Sequence, residues 1–212
     1  LADDVAAALT RRIDTQGSAS LVVSGGRTPL PFLRELATRP LAWARVVVLL
    51  ADERCVALDD GASNQRMVRE NLLTGAAQAA SLLEIDATAP DAALQWQLQL
   101  DALPRPFAAV VLGMGDDGHF ASLFPRMPGI AAALDPAQPA DVVRGLAPAE
   151  PQARLSLNLG ALCDTDLLAL HVTGPAKLAT LNRAEAPGPA TDLPARALLR
   201  QQRVPLHIYH AP

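Results

Sequence analysis

The feature that most constrains the fold is the alternation of short apolar runs with longer amphipathic stretches along the chain. Runs rich in valine and leucine are typical of strands that are buried on both faces, and the stretches between them have room for helices. Strands that alternate with helices pair in parallel, because each helix returns the chain to the same end of the sheet. The pattern therefore predicts an α/β fold with a mostly parallel sheet covered by helices.

Six runs are predicted strands, and capping residues mark several helix starts. The strands are 20–23, 46–50, 107–112 and 167–172, with 153–157 and 204–209 as additional ones. Ser63 is a predicted N-cap for a helix that runs through 67–73, and Thr28 with Pro29 predicts another helix start. Residues 91–103 are also predicted to be helical.

Composition limits the organisation and the partners of the chain. With 212 residues, half of them hydrophobic, one core is sufficient, so we expect a single domain over 1–212. The formal net charge of -4 and the lack of a basic run argue against nucleic-acid or membrane-surface partners, although one basic pocket for a small anion stays open. The two cysteines are too few and too widely spaced for a metal knuckle or a disulfide framework.

No apolar stretch in the sequence approaches the length that spans a bilayer. Asp3 and Asp4 stand where a signal peptide would be basic. The expected location is therefore the cytoplasm, and the expected assembly is a monomer or a small homo-oligomer.

Four unusual segments each follow a predicted strand directly. They are 24–29, 51–54 together with 63–64, 113–125 and 172–177. In open α/β sheets, ligands bind at the edge formed by the carboxyl ends of the strands. The four segments therefore predict one binding site at that edge.

The first segment, 24–29, is suited to an anion. Gly25 and Gly26 permit close approach of a ligand to the backbone, Ser24 and Thr28 supply hydroxyl groups, and a helix start follows. These features favour phosphate binding. A tight turn in which the glycines only relieve strain is the alternative.

The second segment places Asp52, Glu53 and Arg54 after the strongly apolar run 46–50. Arg54 is suited to a carboxylate, a phosphate or a developing oxyanion, whereas the two acids either orient Arg54 or hold sugar hydroxyls. A surface ion pair is the alternative, and for Glu53 it is as good an interpretation as function. The sequence does not assign separate roles to these three residues.

The third segment ends an apolar strand in glycines, two acids and His119. Asp117 and His119 lie two residues apart and can face one pocket, where a histidine acts as a base. The segment also matches the dinucleotide pattern G-x-G-x-x-G, but Asp116 and Asp117 would stand where a pyrophosphate must approach, so hydride transfer is not expected. The other histidines, His171 among them, lack a partnering motif and are interpreted as packing or surface residues.

The fourth segment contains Lys177, the only lysine among 18 basic residues. A compact ammonium group beside a helix start favours phosphate binding, with chance as the alternative. Arg154, in the additional strand 153–157, is a similar candidate with weaker local support.

Together, these segments resemble 6-phosphogluconolactonase, within the glucosamine/galactosamine-6-phosphate isomerase superfamily. The resemblance runs in order over nearly the whole chain, and Ala57 is a small departure where many relatives have proline. It implies a Rossmann-like three-layer α/β sandwich. It also implies hydrolysis of 6-phospho-D-glucono-1,5-lactone to 6-phospho-D-gluconate in the oxidative pentose phosphate pathway, with no metal and no organic cofactor.

The resemblance also implies roles for individual residues. His119 would be the general base that deprotonates the attacking water, Asp117 would orient it, and Arg54 would contact the substrate and the tetrahedral intermediate. The phosphate and the rest of the sugar-phosphate lactone would be bound by Ser24, Gly25, Gly26, Thr28, Asp52, Arg154 and Lys177.

Two rival functions remain for comparison. Deaminases of glucosamine 6-phosphate resemble this chain up to the histidine, but there Asn-Glu-Pro follows and supplies a carboxylate, whereas residues 120–125 contain none. A sugar-phosphate sensor would need a DNA-binding helical module, and none is visible in the sequence. Both alternatives are therefore less favoured than the hydrolase.

Overall fold

Six parallel strands form the main sheet of the computed structural model, which describes residues 1–211. Their order is β4-β2-β1-β5-β8-β9, and every neighbouring pair runs parallel. The strands are β1 (Ala19–Val23), β2 (Val46–Leu50), β4 (Ser81–Leu82), β5 (Ala109–Leu112), β8 (Leu168–Thr173) and β9 (Leu206–Ala211). The predicted α/β class is confirmed, and β1, β2, β5, β8 and β9 begin and end within two residues of the predicted strands. The two-residue strand β4 was not predicted.

Helices flank this sheet and cover its apolar strands. They are α1 (Ala2–Gln16), α2 (Leu30–Ala37), α3 (Asn64–Asn71), α4 (Ala92–Asp101), α5 (Ile130–Ala133), α6 (Leu159–Leu162), α7 (Gly174–Glu185) and α8 (Ala195–Arg200). All residues of β1 and β5 are buried, as expected for strands covered on both faces. No helix within residues 1–211 is long and apolar enough to cross a membrane.

A second, antiparallel sheet lies beside the carboxyl edge of the main sheet, in the order β3-β7-β6. It contains β3 (Asp52–Arg54), β6 (Val142–Leu146) and β7 (Ala153–Leu157). The strand 153–157 was predicted, but its membership of a separate sheet was not. Ala51 explains the transition, because its N–H donates to Val23 of the main sheet while its carbonyl accepts from Leu157 of the second sheet.

The two predicted helix starts have different outcomes. Ser63 is the N-cap of α3, and its hydroxyl accepts a hydrogen bond from the N–H of Arg66, so this prediction is confirmed. The prediction for Thr28 is wrong, because α2 begins at Leu30 after Pro29 and has no side-chain cap. A turn precedes this helix, and Thr28 faces the cavity described next.

Candidate active site

The loops that follow β1, β2, β5 and β8 enclose a cavity of about 220 Å³ at the carboxyl edge of the main sheet. Its lining residues are Ser24, Gly25, Gly26, Arg27, Thr28, Asp52, Arg54, Gly113, Met114, Gly115, His119, Ala121 and Lys177. All four segments singled out in the sequence contribute to it. Two predicted site residues, Asp117 and Arg154, are not among the lining residues.

Asp117 holds the imidazole ring of His119. Its Oδ1 atom lies 2.5 Å from Nδ1 of His119 and also accepts the backbone N–H of that residue at 3.1 Å. Because Nδ1 faces the carboxylate and the ring lines the cavity, Nε2 is the nitrogen that faces a ligand. Phe124 packs against the ring, with 4.4 Å between the two centroids. The pair therefore has the geometry of an oriented base.

The environment of Asp117 keeps its carboxylate ionised. Burial raises the pKa of Asp117, but the hydrogen bonds and the charge of His119 outweigh burial and leave the pKa below its ordinary value. An ionised carboxylate accepts a hydrogen bond from Nδ1–H of His119, and the proton stays on the imidazole.

Gly115 makes room for the ring of His119. A Cβ atom at this position would lie 2.2 Å from both Nδ1 and Cε1 of the imidazole, which is far inside van der Waals contact. The backbone N–H of Gly115 also donates to the carbonyl of His119 at 2.8 Å. The loop can therefore close on the histidine only with glycine at position 115.

Arg54 is held at the end of β3 by two acceptors. Its Nη1 atom donates to the carbonyl of Ala62 at 2.8 Å and to Oδ1 of Asn64. Asn64 is fully buried, and its Nδ2 atom donates to the carbonyl of Asp52 at 2.7 Å. A Cβ atom at Gly25 would lie 1.8 Å from Oδ1 of Asn64, so the close packing of this loop against Asn64 requires glycine there. Asn64 thus joins the first two segments and fixes the guanidinium that faces the cavity.

Glu53 caps a helix and does not line the cavity. Its carboxylate accepts the backbone N–H groups of Asn64 at 2.7 Å and Gln65 at 2.8 Å, in the first turn of α3, together with the N–H of Arg54. Burial raises the pKa of Glu53 more than these backbone hydrogen bonds lower it. The surface ion pair considered from the sequence is therefore wrong for Glu53, and its carboxylate contacts the backbone of Arg54 and not the guanidinium.

Asp52 presents a carboxylate to the cavity, although the residue is only 7% exposed. Its Oδ2 atom accepts a hydrogen bond of 2.6 Å from the hydroxyl of Ser122, which is fully buried three residues after His119. The backbone N–H of Ser122 donates in turn to Ser156 on β7. Ser122 therefore ties the histidine loop to the second sheet. The sequence analysis did not assign a role to Ser122, because its partners are far away in the chain.

The loop after β1 carries the groups expected to hold an anion. The Oγ atom of Ser24 is buried and has no hydrogen-bond partner within residues 1–211. Gly26 has φ +95°, with open space where a side chain would be. Arg27 lines the same wall, is exposed, and has neither a hydrogen bond nor an ion pair from its side chain in the part of the chain that the structure describes. Arg27 was not assigned a role from the sequence, although its place between Gly26 and Thr28 was a signal for it.

Lys177 reaches the cavity from the first turn of α7 and forms an ion pair with Asp116, with 2.9 Å between Nζ and Oδ1. Arg154 lies opposite Arg54 in the pairing of β3 with β7. Burial and the charge of Arg54 lower the pKa of Arg154. The structure thus brings Lys177 to the lining, whereas Arg154 is not among the lining residues but lies next to Arg54 on the neighbouring strand.

Within residues 1–211 no group of three or more His, Cys, Asp and Glu side chains is arranged to hold a metal ion. The cavity presents a histidine–carboxylate pair, a second carboxylate and three cationic side chains.

Comparison with known proteins gives a consistent result. The family described as glucosamine-6-phosphate isomerases/6-phosphogluconolactonase matches residues 1–206. The chain is 46% identical to the 6-phosphogluconolactonase of Pseudomonas putida, over 100% of this chain and 87% of that protein. It is 44% identical to the 6-phosphogluconolactonase of Rhizobium meliloti, over 100% of this chain and 93% of that protein.

A solved structure is similar over the same length. The crystal structure of a 6-phosphogluconolactonase from Shewanella baltica superposes with a TM-score of 0.91 at 35% identity, covering 100% of this chain and 91% of that one. This superposition agrees with the sandwich fold that the sequence resemblance implied.

Proposed function

The chain belongs to the glucosamine-6-phosphate isomerase/6-phosphogluconolactonase family, and from this premise we propose that it hydrolyses 6-phospho-D-glucono-1,5-lactone to 6-phospho-D-gluconate. The observation that carries the proposal is the oriented pair of His119 and Asp117 at a cavity that also presents cationic side chains. A lactone needs an activated water, a stabilised oxyanion and an anchor for its phosphate. The cavity offers a candidate for each.

In this proposal water is the nucleophile, and Nε2 of His119 is the general base that activates it. That nitrogen takes a proton from water while the water oxygen bonds to the lactone carbonyl carbon, and the carbonyl oxygen becomes an oxyanion. The tetrahedral intermediate then collapses, the bond from this carbon to the ring oxygen breaks, and the ring oxygen receives the proton from the imidazolium. The product is an open-chain acid with a free hydroxyl, and the histidine is restored.

Asp117 has a positioning role in this sequence of steps. Its carboxylate fixes the tautomer with the proton on Nδ1, so that Nε2 is free to accept the proton of water. It also stabilises the imidazolium that forms after proton transfer. Arg54, held by Ala62 and Asn64, is the proposed partner of the oxyanion, because a guanidinium that is already oriented needs no reorganisation during the reaction.

The phosphate is proposed to bind opposite the histidine, between the loop after β1 and the start of α7. The unpartnered hydroxyl of Ser24 and the cations Arg27 and Lys177 support this placement. Gly25, Gly26 and Thr28 complete the wall, and Arg154, which is paired with Arg54, would add its positive charge to the site. Asp52 is proposed to accept a hydrogen bond from a sugar hydroxyl. No metal or organic cofactor has a part in the proposed reaction.

Deamination of an amino sugar phosphate is less well supported. That chemistry needs a further carboxylate for proton relay, and on the histidine loop the lining residue after His119 is Ala121. The deciding experiment generates the phosphorylated lactone in situ and measures its hydrolysis above the spontaneous rate. If lactone hydrolysis is absent and glucosamine 6-phosphate is turned over, the deaminase is the better assignment.

We also propose a place for this reaction. A phosphorylated sugar lactone arises from oxidation of a sugar phosphate at its anomeric carbon, so the chain would act as the second step of the oxidative pentose phosphate pathway in the cytoplasm. The small-molecule lactone is its proposed partner.

A further inference from the structure

Asp116 is the acidic residue of the glycine-rich loop that the proposed mechanism does not use. Its neighbour Asp117 orients His119, whereas the side chain of Asp116 is 75% exposed and points toward α7. There its Oδ1 atom lies 2.9 Å from Nζ of Lys177, the cation on the proposed phosphate wall.

Helix α7 also holds the backbone of Asp116. The backbone carbonyl of Asp116 accepts hydrogen bonds from Oγ1 of Thr180 at 3.0 Å and from Nη2 of Arg183 at 3.1 Å. Both donors are on the helix that carries Lys177, one and two turns further along. Asp116 therefore stays beside Lys177 because the same helix holds its backbone.

The three cationic side chains on the lining differ in their interaction partners. Arg54 is engaged by neutral acceptors, and Arg27 has no side-chain partner in the described part of the chain. Only Lys177 is paired with a carboxylate among these three. An anion that reaches Lys177 must therefore either replace this carboxylate or share the ammonium group with it.

We propose that Asp116 is a resident anion that neutralises Lys177 in the empty cavity and is exchanged for the phosphate when a phosphorylated ligand binds. The exchange costs little free energy, because an ion pair with one exposed partner is weak. A phosphate dianion attracts the ammonium group more strongly than a single carboxylate does. Asp116 thereby lowers the affinity for every phosphorylated ligand, the reaction product included, and so sets how readily the product leaves.

The name of the phosphorylated ligand rests on the proposed function, whereas the exchange is tested without turnover. Inorganic phosphate and 6-phosphogluconate are titrated calorimetrically into the wild type, Asp116→Asn, Lys177→Met and the double variant. Asn has the shape of Asp, and the backbone carbonyl that binds Thr180 and Arg183 is kept. Asp14→Asn on α1 is the matched control, since it removes the same charge from an exposed site near the opposite edge of the sheet.

Asp116→Asn is expected to tighten binding of both probes by about two- to fivefold, the range of an exposed ion pair. Asp14→Asn is expected to leave both affinities unchanged. In the Lys177→Met background, Asp116→Asn is expected to change them by less than about 1.5-fold, because the ammonium group through which it acts is absent.

Two results would overturn the exchange. One is unchanged or weaker phosphate binding by Asp116→Asn, and the other is the same tightening with and without Lys177, which would indicate a general field effect. Tighter binding by Asp116→Asn in a protein that does not hydrolyse the lactone would support the exchange and refute the proposed function. Hydrolysis with an unchanged phosphate affinity would refute the exchange alone.

Discussion

The imidazole of His119 occupies the space that a side chain at Gly115 would need, since a Cβ atom there would lie 2.2 Å from two ring atoms. The position of the proposed base therefore depends on Gly115, which has no side chain and so no catalytic group. A substitution at position 115 can therefore displace the imidazole without removing it.

Gly115→Ala is expected to fold and to lower kcat by about 100-fold, because a misplacement of about 1 Å at a reacting group has a cost of that size. The measurement is steady-state lactone hydrolysis together with thermal unfolding. Gly61→Ala is the control, since a Cβ atom there meets nothing within 4 Å and the residue is outside the cavity lining. An unchanged kcat in a folded Gly115→Ala protein would mean that the ring position is unimportant.

Gly25 and Asn64 are expected to be coupled in stability. Gly25→Ala places a Cβ atom 1.8 Å from Oδ1 of Asn64, and the resulting strain is expected to destabilise the fold by about 1–3 kcal/mol. Asn64→Ala removes the obstructing amide but leaves the carbonyl of Asp52 without its donor.

The double variant tests this coupling. Its loss in the free energy of unfolding is expected to be smaller than the sum of the two single losses by at least about 0.5 kcal/mol, because the clash is no longer present. Denaturant unfolding of the four proteins measures this difference. Simple additivity would show that the two residues do not meet in solution.

Asp117→Asn is expected to lower kcat by about 100- to 10,000-fold while KM changes little. The amide of Asn at position 117 has no charge to stabilise the imidazolium of His119. It also permits the tautomer with the proton on Nε2, which cannot act as the base. Asp14→Asn on α1 again serves as the control for removal of one negative charge.

The pH dependence follows from the direction of the pKa shift of Asp117. The folded-state pKa is lowered from its ordinary value of 3.8, so the carboxylate takes up a proton only as the pH falls below that value. Protonation of Asp117 therefore contributes nothing to a change of rate between pH 5 and 8. The titration of the Asp117 carboxyl carbon, followed by 13C NMR, checks this directly, and a protonation step of that carboxyl between pH 5 and 8 would contradict the assignment.

Lys177→Met is expected to raise KM for the phosphorylated lactone by about 10- to 100-fold, the size of a charge-assisted hydrogen bond to phosphate, with a small effect on kcat. The matched substrate is the unphosphorylated glucono-1,5-lactone, for which the variant and the wild type are expected to have equal kcat/KM. Equal losses on both substrates would place Lys177 at the reacting carbonyl and not at the phosphate.

Five strands of the main sheet and the meeting of the four segments were predictable because both follow from local patterns, whereas the two-residue strand β4 is too short to give such a pattern. Apolar runs identify buried strands, and the carboxyl ends of parallel strands share one edge. The second sheet was not predictable, because β3 has only three residues and its partner β7 lies about a hundred residues later. Periodicity in the sequence contains no information about that pairing.

The roles within the Asp52-Glu53-Arg54 segment needed coordinates for a similar reason. Successive side chains of a strand point to opposite faces, so Asp52 and Arg54 share the cavity while Glu53 turns to the start of α3. The alternation is a sequence signal that would have separated them, had the segment been predicted as a strand. The partners Asn64 of Arg54 and Ser122 of Asp52 depend on tertiary packing alone.

The most direct test of the account compares the wild type with His119→Ala in hydrolysis of 6-phosphogluconolactone generated in situ, above the spontaneous rate. His207→Ala, an exposed histidine on the edge strand β9, is the control. We expect kcat to fall by at least about 100-fold in His119→Ala, while calorimetric binding of 6-phosphogluconate stays within about threefold of the wild type. His207→Ala is expected to behave as the wild type. Hydrolysis by His119→Ala at the wild-type rate, or a wild type that adds nothing to the spontaneous rate, would contradict it.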